Sequence, residues 1–221
     1  MEKTLRDLLE KGIAGIDGSL LSGNVPSRLA RLYDEITLFN PSYGLVNASG
    51  EDLVVRHILD SLAPVPLMRG MDREGLRMAD LGSGSGLPGL VLASVFPDWD
   101  ISLVERMGRR AGFLRNTIAV LGMSSYVKVV QKDLSEVRDS YDMITFRAFR
   151  HLQDIISDID RILVPGGKVF SYKSGDPNIG EELEVLRQYG GCAFSHEVTD
   201  YRVPMLDAQR RMLVLVKPLM T

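Results

Sequence analysis

A short apolar run that ends in a cluster of glycines is the feature that most constrains the fold of this chain. The run Leu76–Ala79 leads directly into residues 80–89, which have the sequence DLGSGSGLPG. Glycines allow a tight turn and a close approach of a ligand to the backbone, and the N-terminus of a following helix presents free N–H groups. The segment therefore predicts a strand, a glycine turn and a helix that together hold a nucleotide cofactor.

Two classes of cofactor fit this segment. Counted from Gly84 it is Gly-x-Gly-x-x-Gly, the pattern of dinucleotide-dependent dehydrogenases, in which an acid at the distance of Glu105 holds the ribose. Counted from Asp80 it is Asp-x-Gly-x-Gly-x-Gly, which resembles the first motif of S-adenosylmethionine-dependent methyltransferases. In that family too an acid after the second strand holds the ribose, so Glu105 does not separate the two classes.

The first 70 residues are predicted to form a helical extension. Apolar residues recur at helical spacing from Val25 to Phe39, and a turn-like segment follows at residues 40–44. A second helix is predicted from Glu51 to Ala63, where prolines at positions 64 and 66 end it. At about 100° per residue, three polar side chains fall in one sector of this helix, away from its apolar face: Arg56, His57 and Asp60.

Residues 71–221 are predicted to form a Rossmann-like α/β domain. Strand candidates alternate with helical segments, which indicates a parallel sheet covered on both faces. The candidates are Arg77–Leu81, Ile101–Glu105, Val127–Gln131, Tyr141–Phe146, Lys168–Tyr172, Cys192–Val198 and Met212–Lys217. The last two are joined without an obvious helix, so the final strand is predicted to be antiparallel. An amphipathic helix that starts at Leu152 is predicted to be stopped by Pro165-Gly166-Gly167, just before the fifth strand.

Composition and charge exclude several classes of protein. No apolar stretch approaches about 18 residues, which excludes a transmembrane span, and the N-terminus lacks the apolar core of a signal peptide. Cys192 is the only cysteine, which excludes an intrachain disulfide and a zinc cluster. The net charge of −3 argues against nonspecific coating of nucleic acid but allows a local basic face. We therefore expect a cytoplasmic protein without a metal or a membrane partner.

Four segments resemble one family in their order and spacing. They are residues 55–61 (VRHILDS), 80–89, 147–149 (RAF) and 203–204 (VP). Together they are similar to the RsmG family, also called glucose-inhibited division protein B, from about residue 26 to the C-terminus. The resemblance implies a class I S-adenosylmethionine-dependent methyltransferase fold, with a seven-stranded sheet. It also implies methyl transfer to N7 of a guanine in 16S ribosomal RNA, either as naked RNA or in the 30S subunit.

The resemblance implies a cofactor site position by position. The residues that would hold S-adenosylmethionine are Gly82, Ser83, Gly84, Gly86, Leu87, Glu105, Lys132, Asp133 and Arg147. Arg147 matches an arginine at the mouth of the methyl-transfer site and is the candidate catalytic residue. Glu105 stands where the family usually has an aspartate, and the segment around Tyr43-Gly44-Leu45 departs from the family pattern.

Polar and charged side chains of the N-terminal helix, on the strength of the family resemblance, and of the sheet edge are candidates for RNA contacts. The predicted set is Arg56, His57, Asp60, Arg109, Arg110 and Lys173. Arg106, Arg109 and Arg110 share one face at the carboxyl edge of the predicted sheet, where they would either contact phosphates or form salt bridges in solvent.

The proposed chemistry needs little from the side chains. Guanine N7 is a lone-pair acceptor outside Watson–Crick pairing, so no base must remove a proton before attack. Two other enzyme classes remain open: a small-molecule methyltransferase, which would not need arginines at its mouth, and a nicotinamide-nucleotide oxidoreductase. An RNA-binding protein without catalytic activity is a further alternative.

Overall fold

One seven-stranded sheet organises the chain, in a computed structural model that describes residues 1–174 and 179–219. The strands are β1 Arg77–Leu81, β2 Asp100–Val104, β3 Val127–Val130, β4 Tyr141–Arg147, β5 Leu163–Ser174, β6 Ser195–Tyr201 and β7 Arg210–Val216. They lie in the order β3-β2-β1-β4-β5-β7-β6. Strands β1 to β5 are parallel, whereas β7 is antiparallel to both β5 and β6. The predicted α/β sheet with an antiparallel final strand is confirmed.

Helices precede the sheet and connect most of its strands. They are α1 Lys3–Asp17, α2 Val25–Tyr43, α3 Gly50–Leu53, α4 Asp60–Leu62, α5 Val65–Met68, α6 Gly89–Val95, α7 Gly108–Val120, α8 Leu152–Ile162 and α9 Ile179–Gln188. A π-helical segment, Val54–Leu59, joins α3 to α4 without a break. In the described residues no helix is both long enough and apolar enough to cross a membrane.

Each face of the sheet has its own hydrophobic core. Because alternate residues of a strand point to opposite faces, Met78 and Ala79 of β1 belong to different cores. The first core contains α1, α2 and the π-helical segment together with α6 and α7, whereas the second contains α8. The N-terminal helices therefore cover one face of the sheet and share its core.

Helix α2 is longer than the apolar pattern predicts. The turn expected at residues 40–44 is helical as far as Tyr43, and Pro41 lies inside the last turn. Asn40 explains the ending, because its side-chain oxygen accepts the backbone N–H groups of Leu45 (2.8 Å) and Val46 (2.9 Å). Gly44 then leaves the helix at φ 58°, a left-handed conformation that favours glycine.

The prediction that Pro165-Gly166-Gly167 separates α8 from the fifth strand is wrong. Helix α8 ends at Ile162 and β5 begins at Leu163, so the tripeptide lies within the strand. Its backbone is paired there, since Gly166 N–H donates to the Lys217 carbonyl at 3.0 Å. The register shift opposite Tyr141 accommodates the extra residues as an irregularity in the ladder. Strand β6 is also displaced from the predicted Cys192–Val198 to Ser195–Tyr201.

A close contact between α1 and the π-helical segment generates a stability prediction. A methyl group on Gly12 would lie 2.2 Å from Cδ1 and 2.8 Å from Cδ2 of Leu59, a fully buried side chain that would have to repack. Overpacking of this kind costs about 1–3 kcal/mol, more than the roughly 1 kcal/mol that alanine gains over glycine in a helix. We expect Gly12→Ala to lower the free energy of unfolding, measured by urea denaturation.

Gly112 of α7 provides the matched control, because it is also helical and a methyl group there would meet nothing within 4 Å. Gly112→Ala should raise the free energy of unfolding by up to about 1 kcal/mol. Equal effects of the two substitutions would contradict the packing that we describe for α1.

Candidate functional site

The glycine turn after β1 has a backbone that only glycine adopts readily. Gly82, Gly84 and Gly86 have φ values of 68°, 53° and 82°. The N–H groups of Gly82 and Ser83 both donate to the carbonyl of Val104, at 2.9 and 3.2 Å, so the turn is fastened to the end of β2. A methyl group on Gly82 would lie 2.2 Å from the Phe149 ring. Conformation and close approach together explain the glycines that the sequence pattern singles out.

Glu105 links this turn to the start of α7. Its Oε2 accepts the Gly84 N–H at 3.1 Å, and its Oε1 accepts the Met107 N–H at 2.7 Å. The residue is only 5% exposed. An ionised carboxylate offers about four lone-pair positions, so about two remain for a ligand after these bonds. The acid predicted to hold a ribose thus also holds the glycine turn against the start of α7.

A cavity of about 640 Å³ lies beside the glycine turn, at the carboxyl ends of β1 to β4. Four of the predicted cofactor residues line it: Gly82, Glu105, Lys132 and Asp133. Ser83, Gly84, Gly86 and Leu87 do not line this cavity but form the buried turn next to it. Arg147 lies outside it, in a neighbouring cavity. The predicted cofactor set is therefore brought to one place, apart from Arg147.

Arginines from the segment after β2 form part of the wall of the larger cavity. Arg106, Arg109 and Arg110 all line it. The Arg109 guanidinium donates to the carbonyl of Ser42 at 3.3 Å and lies 5.5 Å from the centre of the Tyr43 ring. The end of α2, where the sequence departs from the family pattern, thus supplies part of the wall.

Residues 148–150 form another part of the wall of this cavity. Arg150 pairs with Asp133 at 2.7 Å, and its guanidinium lies 5.0 Å from the centre of the Phe149 ring. The hydrogen bond from Arg150 lowers the pKa of Asp133, so this carboxylate stays ionised. Ala148 has φ 48°, a conformation that is costly for a residue with a side chain. Such local strain is commonest at binding sites.

Asp80 is a fully buried carboxylate at the base of the glycine turn. Its Oδ2 accepts the Gly89 N–H at 3.2 Å, whereas its Oδ1 has no hydrogen-bond partner among the described residues. Burial raises the pKa of Asp80 to about 7. A buried acceptor without a donor costs free energy, so this position fits a ligand that brings a donor or a positive charge.

A second cavity, of about 360 Å³, contains Arg147. The guanidinium donates to Asp60 Oδ2 at 3.3 Å and approaches Nδ1 of His57 at 3.2 Å. It also donates to the backbone carbonyls of Arg56 (3.5 Å) and His57 (3.4 Å) in the π-helical segment. Residues 148–150 line both cavities, so the two sites share one wall.

Asp60 is the centre of a buried ionic network. Besides Arg147, its carboxylate accepts the Nε–H of Arg210 at 3.0 Å and the hydroxyl of Tyr201 at 3.3 Å. Asp60 is 5% exposed, although regular helical spacing predicted it on the polar face with Arg56 and His57. The π-helical segment changes that spacing, and the network leaves the carboxylate unavailable to RNA at the surface. Asp60 therefore does not lie in the polar sector with Arg56 and His57 that regular helical spacing predicts.

Arg56 and His57 have different environments although they are adjacent. Arg56 is exposed and pairs with Asp52 at 2.7 Å. Burial, followed by the charge of Arg147, lowers the pKa of His57 to about 4, so the imidazole is neutral near pH 7. Because Nδ1 faces the Arg147 guanidinium, the hydrogen of the neutral ring belongs on Nε2.

Lys173 lines the smaller cavity but already has a partner. Its ammonium group pairs with Glu182 at 2.5 Å, and both side chains are mostly buried. Across residues 1–174 and 179–219, no group of three or more His, Cys, Asp or Glu side chains is placed to hold a metal ion.

Sequence reasoning missed the part of the site that comes from the last two strands. Tyr201 and Arg210 line the smaller cavity, with Tyr172 from β5. Nothing in the sequence separates Arg210 from Arg211, which is adjacent and pairs with Asp200 instead. Only the strand register, which faces the two arginines in opposite directions, could have identified Arg210.

The buried Asp80 generates a prediction about pH and stability. Its pKa is about 7 when folded and about 4 when unfolded, so the folded protein holds an extra proton between these values. The contribution of Asp80 to the free energy of unfolding should therefore fall as pH rises from about 4 to about 7. Asp80→Asn lacks this dependence, and its stability relative to the unsubstituted protein should rise over that interval, by up to about 4 kcal/mol.

Urea denaturation at several pH values between 4.5 and about 8 measures this difference. Asp98→Asn removes a carboxylate from an exposed side chain and serves as the control. A stability difference between Asp80→Asn and the unsubstituted protein that does not change with pH would contradict a buried, ionisable Asp80.

Comparison with known sequences identifies the family. The family described as rRNA small subunit methyltransferase G (GidB) matches residues 26–214. The protein named Ribosomal RNA small subunit methyltransferase G from Burkholderia multivorans is 32% identical over 217 residues, 94% of this chain and 92% of that protein. Its namesake from Treponema denticola is 29% identical over 243 residues, 96% of this chain and 94% of that protein.

Solved structures support the fold. A methyltransferase from Pyrococcus furiosus has a TM-score of 0.56 at 16% identity, over 87% of this chain and 99% of that one. M. jannaschii TYW2 in complex with AdoMet has a TM-score of 0.57 at 13% identity, over 73% and 77%. The predicted class I methyltransferase fold is confirmed. By its match over most of its length, this chain belongs to the GidB family of small-subunit rRNA methyltransferases.

Proposed function

We propose that this chain transfers a methyl group from S-adenosylmethionine to N7 of a guanine in 16S ribosomal RNA. One observation carries the proposal: a cavity with the features of a nucleotide-cofactor site shares a wall with a second cavity that holds anchored guanidinium groups. The relatives named Ribosomal RNA small subunit methyltransferase G support the class of substrate.

The residues of the larger cavity fit the proposed cofactor. The glycine turn offers close approach to backbone, and Glu105 has remaining lone pairs for ribose hydroxyls. Lys132 and Asp133, which the family resemblance assigns to the adenine, line the same cavity. S-adenosylmethionine is positively charged at its sulfonium and ammonium groups, which suits a site that contains buried acids such as Asp80. When bound, it supplies a methyl group that is already activated for transfer.

The protein's own task is alignment. Guanine N7 attacks with a free lone pair, so no side chain must remove a proton. Holding two reactants in line contributes about 7–11 kcal/mol of barrier lowering in favourable cases. Arg147 is suited to this role because its guanidinium is held by Asp60, by His57 and by two backbone carbonyls, and cannot easily rotate away.

The charged surface favours RNA over a small-molecule acceptor. Arg109 and Arg110 at the mouth of the larger cavity, and the exposed Arg56, are proposed to contact RNA phosphates. A small-molecule methyltransferase would have no use for arginines there. Naked 16S rRNA and assembled 30S subunits are both candidate substrates, and an assay with each distinguishes them.

Glu105 provides a test of the cofactor site. In Glu105→Gln the amide keeps one acceptor oxygen, but its NH₂ group faces a backbone N–H and cannot accept a hydrogen bond from a ribose hydroxyl. Loss of one charge-assisted hydrogen bond, worth about 1.5–3 kcal/mol, should weaken S-adenosylmethionine binding at least about tenfold by calorimetry. The melting temperature should also decrease slightly, because Glu105 also accepts hydrogen bonds from the N–H groups of Gly84 and Met107.

Glu74→Gln, at an exposed position before β1, is the matched control and should bind the cofactor normally. Cofactor affinity that is unchanged in Glu105→Gln would show that the ribose is held elsewhere. Binding of NADH instead of S-adenosylmethionine would overturn the proposed function.

Arg147 provides the test of the reaction. With S-adenosylmethionine saturating, Arg147→Ala should lower the rate of methyl transfer to unmodified 16S rRNA or 30S subunits at least about tenfold, because the aligned groups lose their support. Arg187→Ala removes an exposed arginine of α9 and should retain the full rate. Normal turnover by Arg147→Ala would place the reaction elsewhere, and absence of transfer by the unsubstituted protein would refute the ribosomal substrate.

A further inference from the structure

We propose that the smaller cavity holds the acceptor base, that Arg210 selects an oxo-purine, and that Asp60 is the positioning residue for this arginine. The inference rests on the proposed methyl transfer and assigns its acceptor to particular residues. It concerns the cavity of about 360 Å³ that contains Arg147.

The cavity has the walls that a flat base requires. Aromatic rings line it from three strands and from the shared wall: Phe146, Phe149, Tyr172 and Tyr201. The rings of Tyr172 and Tyr201 lie edge to face, with centres 6.4 Å apart. Enzymes that modify a base inside RNA take it out of the stack and hold it between aromatic or apolar side chains. Apolar walls favour a base over a phosphate in this cavity. A phosphate keeps more of its hydration beside the exposed arginines.

The position of the cavity suits transfer between two ligands. Residues 148–150 line it and also line the proposed cofactor cavity. A base in the smaller cavity is therefore adjacent to the cofactor site without occupying it. The strained backbone at Ala148 belongs to this shared wall.

Arg210 has a donor available for the base. Its Nε–H donates to Asp60 at 3.0 Å and its Nη1 donates to the carbonyl of Gln209 at 3.2 Å. Its Nη2 makes no hydrogen bond to the described residues, although the side chain is only 12% exposed. A guanidinium donates and never accepts. It therefore suits the O6 acceptor of guanine and opposes the N6 amino group of adenine.

Arg147 is less suited to recognise the base, because its terminal N–H groups already have hydrogen-bond partners. Both of its terminal nitrogens have partners in the π-helical segment or on Asp60. This division gives Arg147 an aligning role and Arg210 a selecting role. Both roles depend on Asp60, whose two carboxylate oxygens each hold one of the arginines.

The first experiment compares Arg210→Gln with Arg211→Gln, its half-buried neighbour on the same strand, which pairs with Asp200. Methyl transfer is measured on unmodified 16S rRNA and on 30S subunits, and cofactor affinity is measured separately by calorimetry. Arg210→Gln should lower kcat/KM about 10- to 100-fold, as expected for one charge-assisted hydrogen bond, with cofactor affinity unchanged. Arg211→Gln should change neither quantity.

The second experiment tests which atom of the base Arg210 recognises. A 16S rRNA is assembled by ligation so that 2-aminopurine, which lacks O6, replaces the guanine that the unsubstituted protein methylates. The unsubstituted protein should lose about 10- to 100-fold in kcat/KM on this RNA, whereas Arg210→Gln should lose little more. Equal losses in both proteins would overturn the assignment of Arg210 to the base.

Asp60→Asn tests the positioning role with a side chain of similar size. The variant should show reduced discrimination between guanine and 2-aminopurine, a change that a loss of stability alone would not produce. Unaltered discrimination in a folded Asp60→Asn protein would overturn the positioning role, and the Arg210 comparison decides the base assignment if that variant does not fold. If the unsubstituted protein transfers methyl groups and Arg210→Gln does so at the normal rate, this inference alone is refuted. If the unsubstituted protein transfers none, the proposed function is refuted.

Discussion

The buried carboxylate of Asp60 is the interaction on which the arrangement of the site depends. It joins the N-terminal helices to the ends of β4 and β7, through Arg147 and Arg210, which lie 87 and 150 residues further along the chain. Hydrophobic burial brings these helices onto the sheet but is not directional. A buried ion pair is costly unless its geometry is good and its lone pairs are used, and here Tyr201 supplies a further hydrogen bond. The network therefore fixes position more than it adds stability.

The π-helical segment makes this network possible. Such segments are rare, and in many proteins they occur at functional sites. Here the carbonyls of Arg56 and His57 accept hydrogen bonds from Arg147, while Asp60, the residue directly after the segment, is buried. The same helical stretch packs its apolar side chains into the first core. The π-helical segment thus both binds the Arg147 guanidinium and attaches the N-terminal helices to the sheet.

The sequence was informative wherever the signal was local. The predicted strand Arg77–Leu81 matches β1, and the glycine turn has the positive φ values that its residues imply. It was uninformative wherever tertiary contacts decide. Asp60 was misplaced because about 100° per residue assumes an α-helix, and Arg210 was missed because only the β5–β7 register determines which of two adjacent arginines faces the cavity. The residues predicted to contact RNA stay predictions, because contacts within the chain do not show where RNA binds.

The distribution of charge explains how a chain with net charge −3 serves a polyanionic substrate. The buried acids Asp80 and Glu105 lie close to the glycine turn, where a positively charged cofactor is proposed, whereas Arg106, Arg109 and Arg110 are at the outer wall of the cavity. Exposed charges are screened over about 8–10 Å at physiological ionic strength, so RNA phosphates respond to the arginines nearest to them and little to the total charge. Buried groups are screened much less, and a cation bound beside Asp80 would favour the ionised form of this carboxyl, whose pKa is about 7 without it. Local arrangement therefore allows one sheet edge to attract a cation inside and an anion outside.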